Sequence, residues 1–239
     1  MSEAMMWLLL RGVWETLAMT FVSGFFGFVL GLPVGVLLYV TRPGQIVANA
    51  KLYRTLSALV NIFRSIPFII LLVWMIPFTR VIVGTSIGLQ AAIVPLTVGA
   101  APFIARMVET SLAEVESGVV EAAQSMGAST FQIIWKVYLP EAKPSLVLGG
   151  AISIVTILAY TAMAGSVGGG GLGDIAIRYG HQRGITSVMW VTVVILIVLV
   201  QIVQSFFSWL TKKIDKRQRT DQSADFTPLQ FLAHFTHTK

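Results

Sequence analysis

Few residues in this chain could do covalent chemistry, and those few are poorly placed for it. Among its 239 residues there is no cysteine, which removes disulfides, thiolate metal sites and cysteine nucleophiles together. His181, His234 and His237 stand outside the apolar segments without carboxylate companions, so neither a metal site nor a proton relay is expected. Gly168, Gly170 and Gly173 satisfy the letter of G-x-G-x-x-G. No strand precedes them and no βαβ unit surrounds them, so a dinucleotide has nowhere to lie. A flexible external turn is the expected structure there. A G-x-x-x-x-G-K-[ST] phosphate loop is also missing from the sequence. One block has a pattern with a purpose. Glu121-Ala122-Ala123-Gln124-Ser125-Met126-Gly127 is polar and helix-prone, and ten residues after its glycine comes Val137-Tyr138-Leu139-Pro140. Its chemistry is recognition: a surface outside the lipid for a partner to grip.

The elements that position this block are membrane spans. The chain is 55% hydrophobic and only 12% charged, with a mean hydropathy of +0.79, where a soluble domain carries about a quarter charged residues. The fold class is therefore an all-α integral membrane protein. A bilayer core of about 30 Å needs about 20 helical residues. Apolar runs of that length predict five spans, at about 16–41, 56–77, 83–105, 146–166 and 185–210. In the first, Gly27, Gly31 and Gly35 recur every fourth residue, a stripe that admits a neighbouring backbone. Arg64 interrupts the second, and its long stem is expected to snorkel to the cytoplasmic interface. The N-terminal Met-Ser-Glu-Ala-Met-Met lacks a basic run and a cleavage site, so the first span is expected to be retained.

Charge orients the spans. Arg42, Lys51 and Arg54 fall between spans one and two, Arg106, Lys136 and Lys143 between three and four, and Lys212, Lys213, Lys216, Arg217 and Arg219 after span five. The opposite side has only Arg11, Arg80, Arg178 and Arg183. The asymmetry predicts an external N-terminus and a cytoplasmic C-terminus. It also accounts for the net charge of +6 without nucleic acid as a partner. The Glu121–Gly127 block then lies in the cytoplasm, within a loop at about 106–143.

Read as helix, Val115, Val119, Ala122 and Met126 share one face. Gly127 is a helix stop, because glycine accepts the left-handed conformation after the last turn. Ser129 and Gln132 have the spacing of a capping box, which predicts a second helix with Phe131, Ile134, Trp135 and Tyr138 as its stripe and Pro140 as its end.

The spacing E-A-A, three residues, glycine, nine residues, then I-x-L-P resembles the EAA loop of ABC-importer permeases, with Val137 in place of the isoleucine. From Met1 to about Val108 the chain further resembles the permease subunits of bacterial methionine ABC importers, through Trp14-Glu15-Thr16-Leu17-Ala18-Met19-Thr20 and Phe63-Arg64-Ser65-Ile66-Pro67-Phe68. The second half resembles them more loosely, through the EAA loop, Tyr160, Met163 and the glycine-rich turn. The resemblance implies a type I ABC importer permease fold in the bacterial inner membrane. It implies two copies of the chain, two cytoplasmic ATPase subunits that bind ATP and Mg, and a periplasmic methionine-binding protein. Within this chain it implies no cofactor and no catalytic residue. It places Glu121, Ala122, Ala123 and Gly127 against the ATPase, and Tyr160 and Met163 on the central pathway near its external end. There two Met163 side chains would meet as a gate, since a thioether packs without fixed geometry and separates without an unpaired polar group.

The block alone leaves other readings open. A permease for another small polar amino acid would carry the same loop, whereas a channel or secondary transporter would run without an ATPase. From about Lys216 the chain departs from the family. The expected division is a permease domain over residues 1–215 and a polar, disordered tail over 216–239.

Overall fold

In the computed structural model, residues 3–214 are described, so the tail expected over 216–239 lies outside the described residues. These residues form helices, with no strand among them. Helix α1 runs over Glu3–Thr41, 39 residues, and begins well before the expected start of the first span. At 1.5 Å per residue it is nearly twice as long as the bilayer core is thick. Its apolar run simply continues upstream through Met5–Leu10, and Arg11 and Glu15 form an i,i+4 ion pair on its surface at 2.8 Å.

The glycine stripe does what its spacing predicts. Gly27, Gly31 and Gly35 are buried against α5 (Leu89–Ala113). A Cβ at Gly31 would lie 2.8 Å from the Ala101 carbonyl oxygen, and one at Gly35 would lie 2.5 Å from that of Ala105. The two backbones therefore touch in a way no larger residue permits. Met19, Leu96, Ile104, Val108 and Leu112 fill the resulting core.

The second apolar segment is not one straight span. Helix α2 (Ala50–Ser65) starts at the Asn49 cap, whose side chain accepts from the Leu52 N–H, and stops at Ile66. Helix α3 (Phe68–Trp74) then leaves at 96° to it. The cause is Pro67: it has no N–H to continue the helix, and it pushes Ile66 into an extended conformation, with φ −75° and ψ 121°. A short α4 (Ile76–Val83) and the glycines Gly84 and Gly88, both with positive φ, lead into α5. That helix runs on to Ala113, past the expected end at 105, so Arg106 sits inside a helix and not in a loop.

Three short helices follow α5 and are described with the site below. Helix α9 (Lys143–Ser166) and the last helix, α11 (Thr186–Ile214), complete the long elements. Four of the described helical stretches are long and apolar enough to cross a membrane, and the bent α2–α3 pair makes a fifth if counted as one span. Helix α11 buries Val188, Leu199 and Val203 against Leu9, Leu158 and Leu172. Its opposite side exposes Trp190, Val194, Ile197, Ile202 and Phe206, the apolar face expected of a helix in contact with lipid.

The glycine-rich segment after α9 corrects the expectation of a flexible external turn. Residues Gly171–Ile175 form a short helix, α10, which is buried along its whole length and continues into a π-helical turn at Ala176–Gln182. The Gly171 N–H donates to Glu15 Oε2 at 2.8 Å and the Leu172 N–H to Thr16 Oγ1 at 2.9 Å. Two unpaired donors at a helix start are thereby satisfied by side chains from α1. On its other side, the hairpin from α9 into α10 closes so tightly that a Cβ at Gly173 would lie 2.5 Å from the Ala162 carbonyl oxygen. This segment is packed inside the fold.

Candidate coupling turn and pathway face

The Glu121–Gly127 block folds as α6 (Ser117–Ser125), capped by Met126. Gly127 takes φ +79°. Its N–H donates to the Gln124 carbonyl at 2.9 Å, and the Ala128 N–H donates to that of Ala123 at 3.1 Å. This pair of bonds is a complete Schellman stop. Two residues after Gly127, Ser129 starts α7 (Thr130–Ile133) with a full capping box. The Ser129 N–H donates to Gln132 Oε1 at 2.8 Å, and the Gln132 N–H to Ser129 Oγ at 3.4 Å. Two opposed caps on either side of Ala128 make the turn short and rigid.

Pro140 does not end the second helix as expected. The chain passes through a π-helical turn at Ile134–Tyr138, in which the Leu139 N–H reaches the Ile134 carbonyl, then through α8 (Leu139–Glu141), and turns at Ala142 directly into α9. The proline falls in the first turn of a new segment, where a missing N–H costs nothing. The turn is therefore joined to α9 by nearly continuous helix.

The faces of α6 also differ from a simple reading of its apolar spacing. Val120 and Ala123 are buried, whereas Val119, Ala122 and Met126 point outward. Beyond Gly127, Phe131 and Trp135 are exposed with ring centroids 5.9 Å apart. Met126 is 82% and Phe131 69% exposed. Apolar residues this exposed make the turn a candidate contact surface. Of the expected contact residues, Glu121, Ala122 and Gly127 lie on the outer surface, and Ala123 is turned into the core. A Cβ at Gly127 would meet nothing within 4 Å.

The inner face is anchored by a residue that the sequence reading used only as part of a stripe. Tyr138 is 2% exposed, and its ring meets Tyr39 of α1 edge-on at 5.1 Å. Its hydroxyl donates to Gln45 Oε1 at 3.2 Å. Burial, reinforced by Tyr39, holds the hydroxyl well above the usual tyrosine range, so it stays a protonated donor. Val120, Ala123, Ile133, Tyr138 and Ala142 belong to the same core cluster as Val108 and Leu112. The Gly127 turn is thus packed directly on α1 and α5.

Tyr160 and Met163 are both on α9 but have different surroundings. The Tyr160 ring stacks on Phe68 at the start of α3, with centroids 4.3 Å apart and planes 2° from parallel. Met163 is 46% exposed. Ile152 and Leu148, also exposed, precede it by eleven and fifteen residues. Eleven residues are close to three full turns, so Ile152 and Met163 share one open face of α9.

At the contact between α2 and α5, Arg106 of α5 donates to Glu109 Oε2 at 2.6 Å, Ser57 Oγ at 2.5 Å and Asn61 Oδ1 at 2.9 Å. This network ties α2 to α5 and neutralises the buried Glu109. Neither it nor the Glu15 and Thr16 caps on α10 was found from the sequence. Their signal was polar residues inside apolar helices.

Comparison with known proteins places this geometry. The D-methionine transport system permease protein MetI of Escherichia coli K12 is 78% identical over 165 residues, 69% of this chain and 76% of that one. A probable protein of the same name from Vibrio cholerae is 55% identical over 210 residues, 88% of this chain and 93% of that one. A solved chain of the MetNI methionine ABC transporter in an inward-facing conformation superposes with a TM-score of 0.89 and 67% identity, covering 90% of this chain and all of that one. An amino acid ABC transporter chain matches at 0.67 with 19% identity, a likeness of fold alone. The family described as the binding-protein-dependent transport system inner membrane component matches residues 27–217, and the chain belongs to that family.

Proposed function

We propose that this chain is the membrane permease of an ATP-driven importer of methionine. Two copies enclose the pathway, two ATPase subunits dock beneath them in the cytoplasm, and an external binding protein delivers the substrate. The observation that carries the reading is the exposed apolar surface around Gly127. It is rigidly capped on both sides and joined by helix to α9. The high identity to proteins named as methionine permeases supports the substrate.

In this reading the α2–α3 pair is one bent span, giving five, with the N-terminus outside. The coupling turn is then cytoplasmic, in agreement with the Lys and Arg asymmetry. Closure of the ATPases on ATP presses on Glu121, Ala122 and Gly127. Ala123 and Tyr138 pass the displacement to α1 and α5, while α8 passes it to α9. Met163, near the outer end of α9, forms the gate with its copy, and Tyr160 supports it through Phe68. ATP shifts a population between inward-open and outward-open states, because its bound form favours one of them. ATP and Mg are held by the partner; this chain supplies shape and motion, with no covalent step.

The test is co-purification with candidate ATPase and binding-protein subunits, followed by uptake of labelled methionine into vesicles with and without ATP. ATP-dependent uptake competed by unlabelled methionine is expected. Uptake that needs no ATPase, or that another amino acid competes better than methionine, would overturn the reading. Cysteines introduced as Ser2→Cys and Thr220→Cys should react with an impermeant thiol reagent from opposite sides. Reaction of both from one side would end the five-span topology.

A further inference from the structure

Arg64 occupies the last turn of α2, just before the Pro67 break. It makes no hydrogen bond or ion pair among the described residues. Arg106, nearby, is fully engaged by Glu109, Ser57 and Asn61. Both guanidinium groups border one open cavity of about 330 Å³ between α2, α5 and α9. That volume is at the lower end of small-ligand sites. One cation in it is compensated and the other is not.

The rest of the wall is of two kinds. Met107, Leu148 and Ile152 give an apolar side, while Thr110 and Ser145 give hydroxyls. Ser57, Asn61 and Arg64 lie at i, i+4 and i+7 on α2, a polar stripe that lipid does not tolerate on a span. Ser57 and Asn61 of this stripe face Arg106 of α5, whereas Arg64 at its end is exposed and faces water or another subunit. Leu148 and Ile152 also share the open face of α9 with Met163, and Ile152 lies about 16 Å inward of it along the helix. The cavity and the gate residue therefore open onto the same side of the molecule.

We propose that this cavity is a transient substrate subsite on the inward half of the pathway. Arg64 receives the carboxylate of a zwitterionic amino acid, and the linear apolar side chain lies along Met107, Leu148 and Ile152. An unpaired guanidinium is the natural receptor for a carboxylate. A single charge in a shallow cavity also binds weakly enough to release, as a conduction site must. The proposal deepens the reading of the chain as a methionine permease and rests on it.

The absence of native cysteine makes a direct test possible. Leu148→Cys is introduced, and the full permease–ATPase complex is placed in phosphatidylcholine nanodiscs. Modification of the permease is timed with an anionic and a cationic methanethiosulfonate of similar size. The anionic reagent should react about tenfold faster, an ordinary gain for a focused local charge. Arg64→Gln should remove the preference and Arg64→Lys retain it. Methionine should slow labelling, methioninol, which lacks the carboxylate, should not, and protection should vanish in Arg64→Gln. A charge preference unchanged by Arg64→Gln, or equal protection by methioninol, would overturn the subsite. The same follows if anionic lipid added to the nanodiscs abolishes protection by methionine, which would assign Arg64 to a headgroup phosphate. ATP-driven uptake by the complex without any substitution is measured in parallel. Absence of uptake there would count against the transporter reading, whereas normal uptake without charge-dependent labelling counts against the subsite alone.

Discussion

Two glycine-containing turns flank α9, and their glycines answer to different constraints. At Gly127 the only internal demand is the positive φ, and a Cβ would find open space. At Gly171 and Gly173 the φ of one is positive, but space is the stronger limit: a Cβ would lie 2.7 Å from Thr16 Oγ1 at the first and 2.5 Å from the Ala162 carbonyl at the second. The Gly171–Gly173 turn is filled by this chain. The space around the Gly127 turn is left empty by this chain, with Met126 and Phe131 exposed beside it. On the proposed function, the empty room around the rigid, apolar turn is where the ATPase docks, whereas filled room serves the fold.

This difference predicts opposite outcomes for similar substitutions. The largest effect on stability is expected for Gly173→Val, whose side chain would have to displace the α9 backbone. A loss of about 3 kcal/mol is expected, seen as a lower thermal midpoint for the purified chain. A retained midpoint would show that the Gly171–Gly173 turn has slack, and the contrast would fail.

Gly127→Glu should cost only about 1 kcal/mol of stability, the penalty of a side chain at positive φ. Its effect on function should be much larger, with ATPase association weakened about thirtyfold, as for a lost interface hot spot. Undiminished uptake would make the turn an ordinary hairpin.

Glu15→Ala removes the acceptor of the Gly171 N–H and should cost about 1–2 kcal/mol, with Glu15→Gln recovering part of it. Equal losses from the two variants would mean that the hydrogen bond is not what holds α10. The smallest effect on stability is expected for Met163→Ala, since the residue is half exposed. Here the readout is a rise in basal, substrate-independent ATP hydrolysis by the assembled transporter, with Tyr160→Ala giving a weaker rise. Unchanged hydrolysis and leak would return Met163 to ordinary packing.

The same contrast explains what was legible in the sequence. The caps around Gly127 were readable because a Schellman stop and a capping box are local: each is specified within a few residues. The glycine stripe of α1 was readable for the same reason. The packing of α10 was not, because its partners Glu15 and Thr16 lie 156 residues away. Ile66-Pro67 carries a visible break signal, yet a hydropathy window averages across it and returns one span. On α6, apolar spacing identified a face but not its direction. Val119 and Met126 are as hydrophobic as a core face, and only the position of Val120 and Ala123 against Val108 and Leu112 shows that they point outward. An outward apolar face and a core face read alike until the fold places them.

The central claim is that the Gly127 turn is covered by the ATPase in the working transporter. Met126→Cys tests it most directly, since the chain contributes no other thiol and Met126 is 82% exposed. Labelling of the permease by a membrane-impermeant maleimide is followed by mass in inside-out vesicles, first alone and then after assembly with the ATPase subunits. The account predicts rapid labelling of the permease alone and strong protection in the complex. Equal labelling in both would show that the turn remains open in the assembly and would contradict its role in coupling.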